Sequence, residues 1–108
     1  MTKAERMQVA ETILQQLGGR EFVAMTGAKN LVATDCGLML SVGRNARGIV
    51  KLAVVLDPSD TYSVTFYKRG LDLDCVPVAE YSDIYCDQLQ ELFTRETGMY
   101  CTLFPRKG

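Results

Sequence analysis

Between residues 22 and 79 the chain alternates short apolar or alternating segments with turn chemistry, and no connection exceeds six residues. The segments are 22–26, 31–33, 38–42, 49–56, 62–68 and 71–79. Gly27-Ala28-Lys29-Asn30, Thr34-Asp35-Cys36-Gly37, the stretch 43–48, Asp57-Pro58-Ser59-Asp60 and Arg69-Gly70 separate them, all residue types that form turns. Connections this short join antiparallel neighbours, because a parallel crossover needs about a dozen residues or more. The pattern predicts an antiparallel β-meander of about five strands.

Both flanks read as helices. Thr2-Lys3-Ala4-Glu5 is a capping box, and Ala4, Met7, Ala10, Ile13, Leu14 and Leu17 recur at helical spacing until Gly18-Gly19 closes the helix. A second helix is expected from Ser82 as N-cap, with Tyr85, Leu89, Leu92 and Phe93 as its apolar stripe, Asp83 in its first turn, Arg95 near its end and Gly98 as its stop. The expected fold is α+β: a single domain over 1–108, with the meander covered on one face by an N-terminal and a C-terminal helix.

Alternation sets an expected register. A five-residue loop, 57–61, pairs Leu56 with Tyr62, Val54 with Val64 and Leu52 with Phe66. A two-residue turn at Arg69-Gly70 pairs Phe66 with Leu73, Val64 with Cys75, Tyr67 with Asp72 and Thr65 with Asp74. The inward face then carries Leu38, Leu40, Val42, Val50, Leu52, Val54, Val64, Phe66, Leu71 and Leu73. Ile49, Ala53, Val55, Val76 and Val78 fall outward among charges.

Composition narrows the chemistry. At 47% hydrophobic and 23% charged, the chain is globular rather than disordered. It has no histidine, which removes the usual general base and makes Ser/His/Asp and Cys/His nucleophile systems impossible. The four cysteines, at 36, 75, 86 and 101, form no C-x-x-C pair and read as free thiols of a reducing cytoplasm. Gly27-Ala28-Lys29 lacks the earlier glycine and the following Ser/Thr of a phosphate loop, so it is a turn. Asp72 and Asp74 point the same way on a strand and could ligate Mg²⁺, but an ordinary cross-strand charge row explains them better. No enzyme and no cofactor are expected. The charged N-terminal stretch is no secretory signal, and the longest apolar run outside it, 52–56, spans no membrane. The protein is expected in the cytoplasm of a bacterial host cell.

Charge is unevenly laid out. Residues 1–54 hold seven basic and four acidic residues, and 55–108 hold five and nine, a +3 half and a −4 half. Two surfaces follow. Outward Lys51, Val55, Asp72, Asp74, Val76, Val78 and Glu80 would make an apolar patch with a charged rim, suited to a protein partner or to self-association. The acidic stripe Asp83, Asp87 and Glu91 along the second helix would add to it. Alternatively, Arg44, Arg47, Lys51, Tyr67, Lys68 and Arg69 at hairpin tips would grip single-stranded nucleic acid, the cations on phosphates and the tyrosine on a base.

Three segments carry a family resemblance: Leu17-Gly18-Gly19-Arg20-x-Phe22-x-Ala24-Met25-Thr26-Gly27-Ala28-Lys29-Asn30, Asn45-Ala46-Arg47-Gly48-Ile49, and Phe93-Thr94-x-x-Thr97-Gly98. In these the chain resembles a group of small proteins encoded by bacteriophages, prophages and other mobile elements. The resemblance implies an accessory protein that works in a bacterial cytoplasm by binding host or phage machinery, including host defence. It assigns no functional residues.

Overall fold

The computed structural model describes residues 2–45, 47–70 and 75–99. Helix α1 (Lys3–Leu17) and helix α2 (Gly19–Thr26) precede strands β1 (Lys29–Ala33), β2 (Gly37–Ser41), β3 (Ile49–Leu56), β4 (Tyr62–Arg69) and β5 (Cys75–Ile84). A single 3₁₀ turn (Cys86–Gln88) then leads into helix α3 (Leu89–Thr97). The strands form one open antiparallel sheet in the order β1-β2-β3-β4-β5, so the α+β meander stands as expected.

The Thr2 hydroxyl accepts from the Glu5 N–H (3.2 Å) and caps α1, and Gly18 closes it with its N–H shared between the Leu14 and Gln15 carbonyls. Segment 22–26 is not a strand but the body of α2. A run of four apolar residues followed by a threonine fits either state, and tertiary burial arbitrates. Here Gly19, Phe22 and Thr26 are buried at helical spacing, the Thr26 hydroxyl donates to the Phe22 carbonyl (2.6 Å), and Gly27 at φ +66° takes the left-handed cap. Phe22 lies edge-to-face on Phe93 of α3, centroids 5.0 Å apart.

The β3–β4 register is as expected, with Leu56 opposite Tyr62, Val54 opposite Val64 and Leu52 opposite Phe66. Ile49 departs from it. One extra β3 residue, Val50, stands between the pairs Ile49–Lys68 and Lys51–Tyr67, and this bulge turns Ile49 inward, where it is 3% exposed. The β4–β5 register also differs. Arg69 pairs with Cys75, Lys68 with Val76, Tyr67 with Pro77, Phe66 with Ala79, Thr65 with Glu80 and Val64 with Tyr81, which excludes a two-residue turn at Arg69-Gly70. Leu71 and Leu73, expected inward, lie outside the described residues. Ala79, Tyr81 and Ile84 pack against the core from β5.

β5 continues through Ser82 and Asp83 to Ile84, so neither residue starts a helix. Asp83 sits at φ +57° where β5 gains an extra residue between the pairs Tyr62–Ile84 and Val64–Tyr81. Aspartate tolerates that conformation better than most side chains. Tyr85, expected on an apolar stripe, is 59% exposed. The stripe Asp83-Asp87-Glu91 is therefore broken, since Asp83 belongs to a strand, Asp87 to the 3₁₀ turn and Glu91 to α3. Gly98, at φ +77°, ends α3 as expected.

Ala10, Ile13 and Leu17 of α1, Phe22 of α2, and Leu89, Leu92 and Phe93 of α3 share one buried cluster with the inward residues of β2, β3 and β4. On the other face of the sheet Met39, Lys51, Ala53, Thr65 and Tyr67 are half-buried and Val55 is exposed. The helices thus cover one face and leave the other open.

Candidate functional site

Successive connections of a meander fall at alternate ends of the sheet, so turn residues sort by end. The start of β1, the β2–β3 loop, the end of β4 and the start of β5 share one end. It carries Lys29, Arg44, Arg47, Lys51, Lys68 and Arg69. The β1–β2 turn, the β3–β4 turn and the end of β5 share the other, which carries Asp35, Asp57, Asp60 and Asp83. Among the described turn residues, cations and aspartates are therefore separated along the strand axis. Among the described residues none of the six cations makes an ion pair; Arg6 with Asp35 (3.2 Å) does, at the acidic end.

Register defines a row across the open face: Lys29, Ser41, Lys51, Tyr67 and Pro77 are successive cross-strand neighbours. Arg69 and Cys75 form the next row toward the cationic end, on the same face. Lys68 belongs to the opposite ladder face, but its Cε comes within 4.0 Å of a Cβ built on Gly48, so its side chain reaches the β2–β3 loop. Arg44, Arg47, Lys68 and Arg69 are exposed; Lys51 and Tyr67 are half-buried. All six residues expected to grip nucleic acid thus stand at one end. Lys29 joins them unannounced by the sequence, because its place beside Ser41 depends on an extra residue in β1 where Asn30 adopts φ +55°.

The loop bearing Arg44 and Arg47 is ordered by Asn45. Its Nδ2 donates to the carbonyls of Gly43 (3.0 Å) and Ile49 (2.6 Å), and its Oδ1 accepts the N–H groups of Arg47 (3.2 Å) and Ile49 (3.0 Å). The amide engages both backbone groups of Ile49, as a neighbouring strand would. Gly43 N–H donates to the Thr26 carbonyl (2.8 Å), tying the loop to the end of α2.

The first surface fares differently. Asp72 and Asp74 lie outside the described residues. Val55 stands two rows from Lys51 toward the acidic end, opposite Ser63. Val78 is the extra residue of a bulge between the pairs Phe66–Ala79 and Tyr67–Pro77, which moves Val76 onto the ladder face of Lys68 and Phe66. Val76 and Val78 are exposed, and Glu80 remains outward opposite Thr65, but the expected single patch is not assembled. The bulge shifts the face of every residue before it, an effect that alternation alone does not reveal. Val32, Met39, Ala53 and Val55 do share the open face.

The chain matches no family model, no curated protein and no solved structure.

A shallow cavity of about 310 Å³ between α1 and the acidic end is lined by Glu5, Gln8, Val9, Thr12, Leu56 and Tyr62. Its polar groups are engaged elsewhere: the Tyr62 hydroxyl donates to Gln16 Oε1 (2.6 Å), and Glu5 accepts from the Thr2 hydroxyl (3.1 Å). Burial pushes the Tyr62 hydroxyl above its ordinary pKa. Tyr81 donates to the Glu96 carboxylate, which raises its pKa too, and the Arg95 guanidinium lies 5.8 Å from the Tyr81 ring centre. Among the described residues no group of three or more Cys, Asp and Glu is placed to hold a metal ion, and no helix is long and apolar enough to cross a membrane. Cys36, Cys75 and Cys86 are free thiols.

Proposed function

We propose that this protein is a non-enzymatic accessory protein of a bacteriophage or mobile element that binds single-stranded nucleic acid at the cationic end of its open sheet face, in the cytoplasm of the host cell. The carrying observation is the convergence of Lys29, Arg44, Arg47, Lys51, Lys68 and Arg69 around Tyr67. Cations release counterions from phosphates, and an open-face tyrosine offers a stacking platform for any base. The net charge of −1 does not oppose this. The eight-residue β3 separates the two ends by roughly 23 Å, whereas the Debye length at 0.15 M salt is about 8 Å. A phosphate at one end is screened from Asp35, Asp57, Asp60 and Asp83 at the other.

The test is fluorescence anisotropy of a labelled single-stranded oligomer titrated with salt. If about five phosphates are contacted, log K should fall with log salt at a slope of about −3.5. Arg44→Ala and Arg47→Ala should each make the slope shallower by about 0.7. Absence of binding at ~50 mM salt, or slopes untouched by either variant, would remove the reading.

The row Val32, Met39, Ala53 with neighbouring Val55 favours a second reading, a host or phage protein partner. Val32 and Val55 are 55% and 38% exposed on the open face beside Lys51, and such a strip with a charged rim suits a protein interface. Val55→Lys would abolish that association and leave oligomer binding intact.

A further inference from the structure

Gly43-Arg44-Asn45-Ala46-Arg47-Gly48 has the composition of a flexible turn, yet Gly43, Asn45, Arg47 and Gly48 are held by hydrogen bonds. The Asn45 amide bonds Gly43, Arg47 and Ile49; Gly48 N–H donates to the Asn45 carbonyl (3.2 Å); and Gly43 is tied to Thr26. Two exposed guanidiniums leave this anchored loop on either side of Asn45. Lys68 reaches its Gly48 end. A loop without the anchor would have to be ordered on each binding event, whereas an anchored one has already met that loss.

We infer that Asn45 is a positioning residue. It holds the β2–β3 loop so that Arg44 and Arg47 act together as a preformed clamp on a phosphodiester group of the bound strand. The inference rests on the proposed nucleic-acid binding and names the part of the site that fixes its geometry. Asn45 carries no charge and contributes nothing to counterion release, so its effect is separable from that of the arginines by salt dependence. Its Nδ2 donates to and its Oδ1 accepts from backbone groups alone, so the loop's shape depends on this side chain and not on the guanidiniums it carries.

The probe is a fluorescein-labelled single-stranded thymidine oligomer, titrated over a salt series with the full chain. Asn45→Ala retains every cation, and its expected signature is an affinity lower by about tenfold with an unchanged salt slope. Arg47→Ala gives the opposite signature, a slope shallower by about 0.7. Gly43→Ala is the second variant. A Cβ there would stand 2.9 Å from the Thr26 carbonyl oxygen, loosening the loop at its other anchor while leaving the Asn45 amide and both arginines in the chain. It should reproduce the Asn45→Ala signature, and circular dichroism and Tm confirm that both variants remain folded. Alkylation gives an independent readout. Cys75, opposite Arg69, should be protected by the oligomer in the wild type, whereas Cys86, exposed before α3, should not. If folded Asn45→Ala and Gly43→Ala bind as the wild type does, the clamp is refuted while nucleic-acid binding stands. If the slope falls with the affinity, phosphate contacts have been lost outright and the positioning role is refuted. If the wild type binds no oligomer, the proposed function itself fails.

Discussion

Replacing Phe22 and Phe93 by leucine, singly and together, measures whether α2 stands against α3. Both rings are fully buried, with centroids 5.0 Å apart and planes at 69°, an edge-to-face pair. Such a pair contributes about 0.5–1.5 kcal/mol beyond the area it buries. Each single leucine should cost about 1–2 kcal/mol through lost contacts and residual space. The first replacement already removes the ring–ring term, so the double variant should be less destabilised than the sum of the singles by about 1 kcal/mol. In Tm that coupling is roughly 4–8 °C for a domain of about 100 residues. Leucine is preferred to alanine because two Phe→Ala changes at about 3–5 kcal/mol each would consume most of a typical stability of 5–15 kcal/mol. Urea unfolding followed by circular dichroism gives the four free energies, with equal m values as the check on a two-state transition. A coupling below about 0.3 kcal/mol, the additivity of independent sites, would separate the two rings and refute the placement of α2.

Gly37→Ala should destabilise by about 3 kcal/mol, because its Cβ would stand 1.8 Å from the Val54 carbonyl oxygen and force open the end of the β2–β3 ladder. Gly98→Ala, with nothing within 4 Å but φ at +77°, should cost only about 1 kcal/mol; equal losses in urea unfolding would contradict the close β2–β3 approach. The raised Tyr62 and Tyr81 values mean that the unfolded tyrosines ionise first, near the ordinary 10.0. Stability is then constant below that pH and lost as pH rises through the folded values. Urea midpoints measured from about pH 8 to 11 should show this late fall, reduced in Tyr81→Phe, and a fall complete by about pH 9 would contradict it. Asp72→Asn with Asp74→Asn, two changes between Arg69 and Cys75 in the chain, should tighten oligomer binding several-fold at ~50 mM salt and less at ~200 mM. Unchanged anisotropy titrations would contradict an electrostatic effect of those acids on binding.

Bulges and anchors separate what was legible in the candidate site from what was not. The gathering of Arg44, Arg47, Lys51, Tyr67, Lys68 and Arg69 at one end follows from turn order in any antiparallel meander, and the sequence supplies it. Lys29 and Asn45 escape such reasoning. Lys29 reaches its row through an irregular β1, and Asn45 acts through side-chain bonds to the backbone of Gly43, Arg47 and Ile49 that hydrophobic alternation does not register. The propensity of asparagine to bond the backbone two residues on was the one local hint.

Residue order by itself determined α1 with its Thr2 cap, the central β2–β3–β4 layer, the 57–61 loop and the stop at Gly98. These rest on short-range chemistry and on period-two burial, where a one-residue slip would expose a whole apolar set such as Leu52, Val54, Val64 and Phe66. Tertiary structure alone decided that 22–26 is helical, that β5 runs on through Asp83, and that Ile49 turns inward while Val76 changes face. Three of those outcomes set a short or weakly one-sided segment, compatible with two local states, against a distant partner: Phe22 against Phe93, Tyr81 against Phe66 and Ile49 against the core; Val76, which stays exposed, changes face only because of the β5 bulge. Burial against that partner, rather than intrinsic preference, selected the state.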